Sequence, residues 1–519
     1  MTEDGHDAIL EALAATLSRQ GGPVARFETH GARILVGKHT TLKVKREVRY
    51  AYMDFSTLQK RKDALARELE INQRSAPGLY LRLAPVTRDC DGTFSLDGSG
   101  EVVEWALEMR SFRQEDLLSA IAARGPLGAG LAKATADAIL AMHAAAPAVP
   151  TARDTLPDVV GELTEAFAAA PTTFPARERE AWAASARAAL DATAAVRAAR
   201  LAAGRVRRCH GDLHLRNIVL WQGRPAPFDA LEFDEALATI DVLYDLAFLL
   251  MDLDQRDRRE DANIVLNRYL WRSGRTDDLQ ALAALPLMLS LRAGIRAMVA
   301  AQKAALDTAG TVAGEARDYF AAACTYLAPA RPVLVAVGGL SGTGKTTLAA
   351  AIAPWIGHAP GAVHLRSDLE RKSLAGVGEL ERLPEDAYTA RAAQAVYARL
   401  HERAELVLKA GHSVVVDAVF ARPEERAAIA AIAGRLASRQ ELIWLSAPPD
   451  VLKRRVASRS GDASDATPDV VEKQLRHDPG TIDWTVVAAG ATAEETRGEV
   501  ARRLGLRARS EPSARNSRR

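Results

Sequence analysis

The sequence predicts two consecutive architectures in one chain, an α+β half in which a small sheet-containing lobe precedes a larger helical one, and an α/β half with a parallel sheet wound by helices. Three observations carry this. Short apolar segments separated by Gly, Asp and Pro fill residues 31–112; alanine-rich helical periodicity runs from 113 to about 328; and after "LAPARPVLVAVGG" short apolar runs alternate with helical stretches. Length agrees, because 519 residues at about 150 per domain make roughly three domain-sized units.

In the first lobe, "ARILVG", "TTLKVKREV", "GLYLRLAPV" and "EVVEWALEM" read as strands. Between them "TLQKRKDALARELEINQRS" has Leu58, Leu65, Leu69 and Ile71 near helical spacing, which predicts a helix between strands of a mixed sheet. Within the helical lobe only the stretch from Val206 to Phe233 breaks the pattern. Prolines around 329–332 then bracket a switch to a continuous apolar strand, a domain boundary near Pro332. Beyond it "PVLVAVGG", "AVHLRSD", "HSVVVDAVF", "QELIWLSAPP" and "WTVVAAG" read as five strands of a parallel sheet. The expected units are 1–112, 113–330, 331–505 and a disordered basic tail at 506–519, since Arg502–Arg519 holds seven arginines against one Glu.

The 68 Lys and Arg nearly cancel 66 Asp and Glu, so no global field points to nucleic acid or a membrane. Three widely spaced cysteines write neither a disulfide framework nor a zinc cluster. No apolar run reaches the roughly 18 residues a membrane span needs, and "MTEDGHDAIL" lacks the features of a signal peptide. A cytoplasmic protein is expected.

Chemistry is written most plainly at 339–346. The strand "PVLVAV" leads into Gly339, Leu340, Ser341, Gly342, Thr343, Gly344, Lys345 and Thr346, a full G-x-x-x-x-G-K-[ST] phosphate loop (Walker A), followed by Thr347 and a helical "LAAAIA". Glycines let backbone N–H groups curl around phosphate oxygens, the helix N-terminus adds its dipole, Lys345 bridges phosphates and the Thr346 hydroxyl is placed to ligate Mg²⁺. Asp417 ends one apolar strand and Asp368 follows another, where such sheets gather their ligands. Asp417 is the expected metal-shell acid, and Asp368 the group that accepts a proton from, or orients, a substrate hydroxyl. Arg455 and Arg459, four apart before a polar loop, suit a lid that meets phosphate on closure.

A second constellation lies upstream. In "HGDLHLRNIVL" Asp212 and Asn217 have the D-x-x-x-x-N spacing of a kinase catalytic loop, the Asp orienting an acceptor hydroxyl and the Asn ligating Mg²⁺. Asp229 in "APFDALEF" ends a following strand pair and is the expected second metal carboxylate. Such a site needs a cation on the phosphates, held by a carboxylate from a helix. Lys43 and Lys45 in "TLKVK" share a strand face and either can serve; Glu68 is the expected partner and Glu70 the alternative.

The region 331–505 resembles small P-loop kinases of the gluconate kinase, shikimate kinase and zeta-toxin type, which implies that Asp368, Arg371, Arg454, Arg455 and Arg459 face acceptor or γ-phosphate. Residues 1 to about 328, through "HGDLHLRN" and "FDALEF", resemble the aminoglycoside phosphotransferase and choline kinase branch of the protein-kinase-like fold. By that resemblance Asp212 is the catalytic acid or base, Asn217 and Asp229 hold Mg²⁺, and "VEWALEMRSF" holds adenine. No G-x-G-x-x-G precedes "TLKVK", a departure from the protein-kinase pattern. The order of the halves matches bifunctional proteins that fuse an aminoglycoside phosphotransferase-like half to a P-loop kinase.

The resulting expectation is a bifunctional enzyme with two ATP- and Mg²⁺-dependent sites that phosphorylate hydroxyls of small molecules, with no nucleic-acid or membrane partner. Two alternatives stay open: one half senses ATP for regulation, or the C-terminal half is a zeta-like toxin kinase restrained by the N-terminal half.

Overall fold

The computed structural model describes residues 3–50, 53–306, 313–458 and 461–506. Arg459 and most of the expected basic tail lie outside the described residues. Compactness divides the chain into two units that do not follow sequence order: one combines 1–155 with 200–256, the other 156–199 with 257–519.

In the first unit a six-stranded sheet has the order β1 (Ala25–Glu28), β2 (Ala32–Val36), β3 (Thr40–Lys45), β6 (Glu101–Arg110), β4 (Tyr80–Arg88) and β5 (Phe94–Leu96). Every pairing is antiparallel, which corrects the expectation of a mixed sheet. The crossover helix α1 (Leu58–Ser75) does bring β4 back in the direction of β3. The later strand β6 slots between them, so the two never pair.

Helix α1 starts where the Thr57 hydroxyl accepts the Lys60 N–H. It buries Arg61, Ala64, Leu65, Glu68 and Asn72, a helical stripe that includes two charges. Each charge is paired: Arg61 Nε donates to Glu104 at 2.8 Å, and Glu68 meets β3. Helix α2 (Gly128–Ala145) and the antiparallel hairpin β7 (Ile218–Trp221) and β8 (Arg224–Pro227) complete the surroundings of the upstream constellation.

Helix α3 (Val242–Gln255) is buried continuously from Val242 to Leu253, as an apolar-all-round helix should be. Two aspartates interrupt that run. They sit seven residues apart, hence on one face, and both accept backbone N–H groups of the loop at 209–217.

In the second unit five parallel strands run in the order β10 (Val363–Arg366), β11 (Val414–Asp417), β9 (Val333–Gly338), β12 (Arg439–Ser446) and β13 (Thr485–Ala488). All five match the predicted runs. The central strands β9 and β11 are buried on both faces, the condition that makes parallel strands read as unbroken apolar segments, whereas the edge strand β13 is largely exposed. The phosphate loop leaves the central strand β9, so it stands at the C-terminal edge of the sheet. Helix α4 (Arg259–Ser273) belongs to the same unit and lies along β10. Among the described residues no single helix is long and apolar enough to cross a membrane.

Candidate active sites

The upstream site is built from β3, α1, the loop at 209–217 and the turn after β8. Glu68, fully buried, bridges both lysines: Lys43 Nζ donates to one carboxylate oxygen at 2.7 Å and Lys45 Nζ to the other at 2.8 Å. Their second partners separate them. Lys43 donates to Asp229 at 2.6 Å, whereas Lys45 donates to Glu232 at 2.6 Å. Glu70 is turned outward and pairs with Arg67 at 2.7 Å.

These neighbours set the charge states. Burial works against the Lys43 ammonium, but Asp229, Glu68 and Glu232 outweigh it and hold its pKa well above the ordinary value. Desolvation likewise opposes the Asp229 carboxylate, and the Lys43 charge and hydrogen bond overcome it, leaving the group at about 2. Asp229 occupies the left-handed region at φ 60°, one that Asp tolerates better than most residues. Its backbone N–H donates to the Tyr80 hydroxyl at 3.0 Å, and the next N–H, of Ala230, to Asn72 Oδ1 at 3.0 Å.

Asp212 and Asn217 meet as their spacing predicts, with Asn217 Nδ2 donating to Asp212 Oδ2 at 2.9 Å and to its backbone carbonyl at 3.0 Å. The loop is held from below by α3. Asp245 accepts the backbone N–H groups of His210 (3.1 Å) and Gly211 (2.9 Å), and Asp252 accepts that of Leu215 (3.0 Å). His210 Nδ1 accepts the Asp212 N–H, so its Nε2–H donates to the Phe228 carbonyl at 2.9 Å. Burial holds its pKa down despite Asp245 and Asp212, which fits a neutral, structural ring. Gly211 is at φ 84°, a conformation that L side chains rarely adopt, and a Cβ there would lie 3.1 Å from Leu231 Cβ, a tight contact.

The downstream site surrounds a cavity of about 1240 Å³ lined by Ser341, Gly342, Gly344, Lys345, Thr346 and Thr347 on one side and by Asp368, Arg371 and Asp417 on another. Gly339 and Thr343 support it from behind. A Cβ on Gly339 would stand 2.4 Å from the Leu445 carbonyl oxygen, and the Thr343 hydroxyl donates to Leu340 O at 2.8 Å. Lys345 Nζ donates to the same carbonyl at 3.0 Å, and the Thr346 hydroxyl to Asp417 Oδ2 at 2.5 Å.

Two carboxyls are pushed apart here. Burial, then the nearby Asp417 charge, raises the pKa of Asp368; burial also acts on Asp417, but contact with His364 and the charges of Lys345 and Arg366 bring it below its ordinary value. Separated acidities are what an ionised ligand beside a proton acceptor requires. Arg455 is directed elsewhere, donating to the carbonyls of Ala489 and Ala491 at 2.7 Å each, and Arg454 pairs with Asp450 at 2.9 Å. Neither lines the cavity. Arg366 and Arg371 do, the first paired with Asp462 at 2.8 Å.

Both sites offer oxygen-rich donor sets of the kind a hard divalent cation takes: Asn217 with Asp229 upstream, and the adjoining Thr346 hydroxyl and Asp417 carboxylate downstream.

Family comparisons agree with both halves. The Phosphotransferase enzyme family matches residues 45–285, and an AAA domain matches 334–478. Uncharacterized protein Rv2004c of Mycobacterium tuberculosis and Uncharacterized protein Mb2027c of Mycobacterium bovis are each 30% identical to the chain over 467 residues, covering 85% of it and 88% of their own length. The chain belongs to their family. It joins an aminoglycoside phosphotransferase-like half to a P-loop kinase half, and it is an ATP-dependent kinase. Among solved structures, a choline/ethanolamine kinase family protein from Mesorhizobium loti is 16% identical and covers 62% of this chain and 94% of its own, with a TM-score of 0.39. A gluconokinase from Sinorhizobium meliloti 1021 is 22% identical and covers 34% and 98%, with a TM-score of 0.24.

Several residues around this family member's sites escaped sequence reasoning. Asp245 and Asp252 had a signal, since a carboxylate inside "DVLYDLAFLLMDL" must be spent on something buried. Glu232 lies three residues after Asp229 and had no periodicity to mark it. Gln474, whose Oε1 accepts the Ser341 N–H at 2.9 Å, and Asp465, which accepts from Tyr388 and from the Leu383 N–H at 3.0 Å each, sit in polar stretches that read as solvated.

Proposed function

We propose that the protein is a bifunctional phosphotransferase with two separate ATP- and Mg²⁺-dependent sites, each moving γ-phosphate to a hydroxyl of a small molecule. The observation that carries this reading is that each compact unit holds its own complete set: a lysine for phosphate, an oxygen donor pair for metal, and an aspartate for the acceptor. Upstream these are Lys43, Asn217 with Asp229, and Asp212. Downstream they are Lys345, Thr346 with Asp417, and Asp368.

Catalysis in such sites is mainly positioning and charge neutralisation. Mg²⁺, when bound, spreads the negative charge of the phosphates. Glu68 fixes Lys43 so that its ammonium points toward the Asp229 side of the cleft. Asn217 fixes Asp212 so that its free oxygen can take a hydrogen bond from the acceptor hydroxyl. Downstream, the loop N–H groups and Lys345 gather phosphate oxygens. Asp368, made more basic than an ordinary aspartate by its surroundings, accepts the proton of the attacking hydroxyl. The acceptors of this reading are small hydroxylated molecules; the near balance of 68 basic and 66 acidic residues favours no nucleic-acid or membrane partner, and the three scattered cysteines favour a cytoplasmic setting.

The test is a phosphorylation screen of a metabolite library with wild type, Asp212→Asn and Lys345→Ala. Each variant should abolish a different subset of products. ATP binding without products assigned to one half would identify that half as a sensor, and no change in either variant would refute the assignment of both sites.

A further inference from the structure

A second large cavity, of about 1050 Å³, opens in the first unit between α1, α2, residues 208–210 and the β7–β8 hairpin. None of Lys43, Lys45, Glu68, Asp212, Asn217 or Asp229 lines it, so it is separate from the upstream site although it shares that site's supporting elements. Its lining is two-sided. Ile71, Met142, Pro147, Trp221 and Pro225 supply an apolar wall, while Arg67, Arg74, Arg208 and Arg224 bring four guanidinium groups.

Those charges are only partly answered. Arg67 and Arg208 share Glu235, at 2.9 and 3.2 Å, and Glu70 serves Arg67 at 2.7 Å and Arg74 at 3.5 Å. Among the described residues Arg224 has neither an ion pair nor a side-chain hydrogen bond. Four guanidiniums therefore face two carboxylates, and the excess is positive.

We propose that this cavity binds a small organic anion, its carboxylate, sulfonate or phosphate held by Arg74 and Arg224 and its aromatic or alkyl body against the Ile71, Met142 and Trp221 wall. A cleft of this size is enough to enclose a drug-sized molecule. Planar guanidiniums suit oxyanions, and the apolar wall adds binding energy only for an anion that carries a hydrocarbon body to bury. Occupancy acts on catalysis through two shared parts. Arg67, Glu70, Ile71 and Arg74 are on the helix whose buried face carries Glu68, and His210, on the cavity wall, accepts the Asp212 backbone N–H. A ligand that stiffens α1 and this loop stiffens the catalytic geometry.

The experiment titrates the full chain with 8-anilinonaphthalene-1-sulfonate, an aromatic anion, and with its uncharged relative N-phenyl-1-naphthylamine. Wild type is compared with the double variant Arg74→Glu/Arg224→Glu and with Ala141→Trp, which fills the cavity; all three positions are exposed, and unchanged circular dichroism verifies the fold. Saturable binding of the anion should weaken at least tenfold in the double variant and vanish in Ala141→Trp, while the uncharged probe is insensitive to the charge reversal. Hydrogen exchange in 58–75 and 209–213 should slow when the anion saturates wild type and stay unchanged in Ala141→Trp. Equal anion binding in all three proteins, or saturation without any change of exchange, overturns the proposal.

Discussion

At the scale of single residues, Lys43 and Lys45 show how alternation finds a pair and tertiary contacts divide it. Both meet Glu68, yet only Lys43 reaches Asp229, so Lys43→Met should lower turnover at the upstream site by about 10²–10³-fold, the loss typical of a removed charge-stabilising donor. The Lys45 side chain is 2% exposed and holds that of Glu232, 9% exposed; Lys45→Met leaves a largely buried carboxylate unpaired and should destabilise by about 3 kcal/mol, the lower end of the range for breaking a buried pair. Adding Glu232→Gln should recover much of that stability in urea titrations. If both lysine variants lost equal activity and equal stability, the division would be wrong. The sequence could not make it, because Glu232 sits 187 residues from Lys45. His412 carries a pH prediction. Burial holds its pKa down to about 4, although its Nε2–H donates to the Gly361 carbonyl at 2.9 Å. Since an unfolded histidine titrates near 6.5, the unfolded chain gains a proton between pH 6.5 and 4 that the folded chain refuses. This contribution therefore falls as pH falls through that window, by on the order of 3 kcal/mol at its foot. Melting scans of wild type and His412→Gln should show a gap that shifts in favour of the variant as the medium is acidified; a gap independent of pH would exclude the mechanism.

At the scale of elements, the strands were legible because each kind has its own period. Parallel strands buried on both faces print as "VLVAV" or "VVVD", and α1 prints a helical stripe. What no period prints is an element's partner. Strand β10 is the edge of its sheet, and an uncovered edge is a pairing hazard. Helix α4 covers it with side chains: Asn263 Nδ2 donates to the Ala362 carbonyl at 3.0 Å, and Asn267 Oδ1 accepts the His364 N–H at 2.7 Å. Arg268 then pairs with Glu379 at 2.6 Å, and Trp271 Nε1 donates to the Leu369 carbonyl at 3.3 Å, next to Asp368. His364 Nε2 in turn lies 3.6 Å from Asp417. The prolines at 329 and 332 mark where helix gives way to strand, and β9 does begin at Val333. They carry no information about α4, whose asparagines look like any polar helix surface. In the full chain, Asn263→Ala/Asn267→Ala should accelerate exchange of the His364 amide and cost about 1–3 kcal/mol per buried backbone group left unpaired. Unchanged His364 exchange in the double variant would show that the edge is protected by other means.

At the scale of the whole molecule, chain order and compact units disagree, and the reason is physical. The described residues of 156–199 and 257–330 are mostly helical and, like their neighbours, alanine-rich, so their composition says that they pack without saying on what. Their large buried groups answer that within the second unit, where Phe167 meets Phe174, Trp182 and Phe320 at centroid distances of 4.8, 4.9 and 4.9 Å. The sites divide more cleanly than the helices do. Lys43, Glu68, Asp212, Asn217 and Asp229 all fall in the first unit, and the phosphate loop, Asp368 and Asp417 all fall in the second. Among the described residues the groups named for each proposed nucleotide site all fall within that site's own unit, so their binding energies should be independent, as expected for substitutions that share no partners. Calorimetric titration with a non-hydrolysable ATP analogue and Mg²⁺ should therefore resolve two sites in wild type. Lys345→Ala should leave only the upstream one with its affinity unchanged, Lys43→Ala only the downstream one, and the double variant neither. A single site in wild type, insensitive to one of the two lysines, would reduce the corresponding half to a scaffold, and an affinity change at the remaining site in either single variant would reveal coupling that the separation of charged groups does not provide.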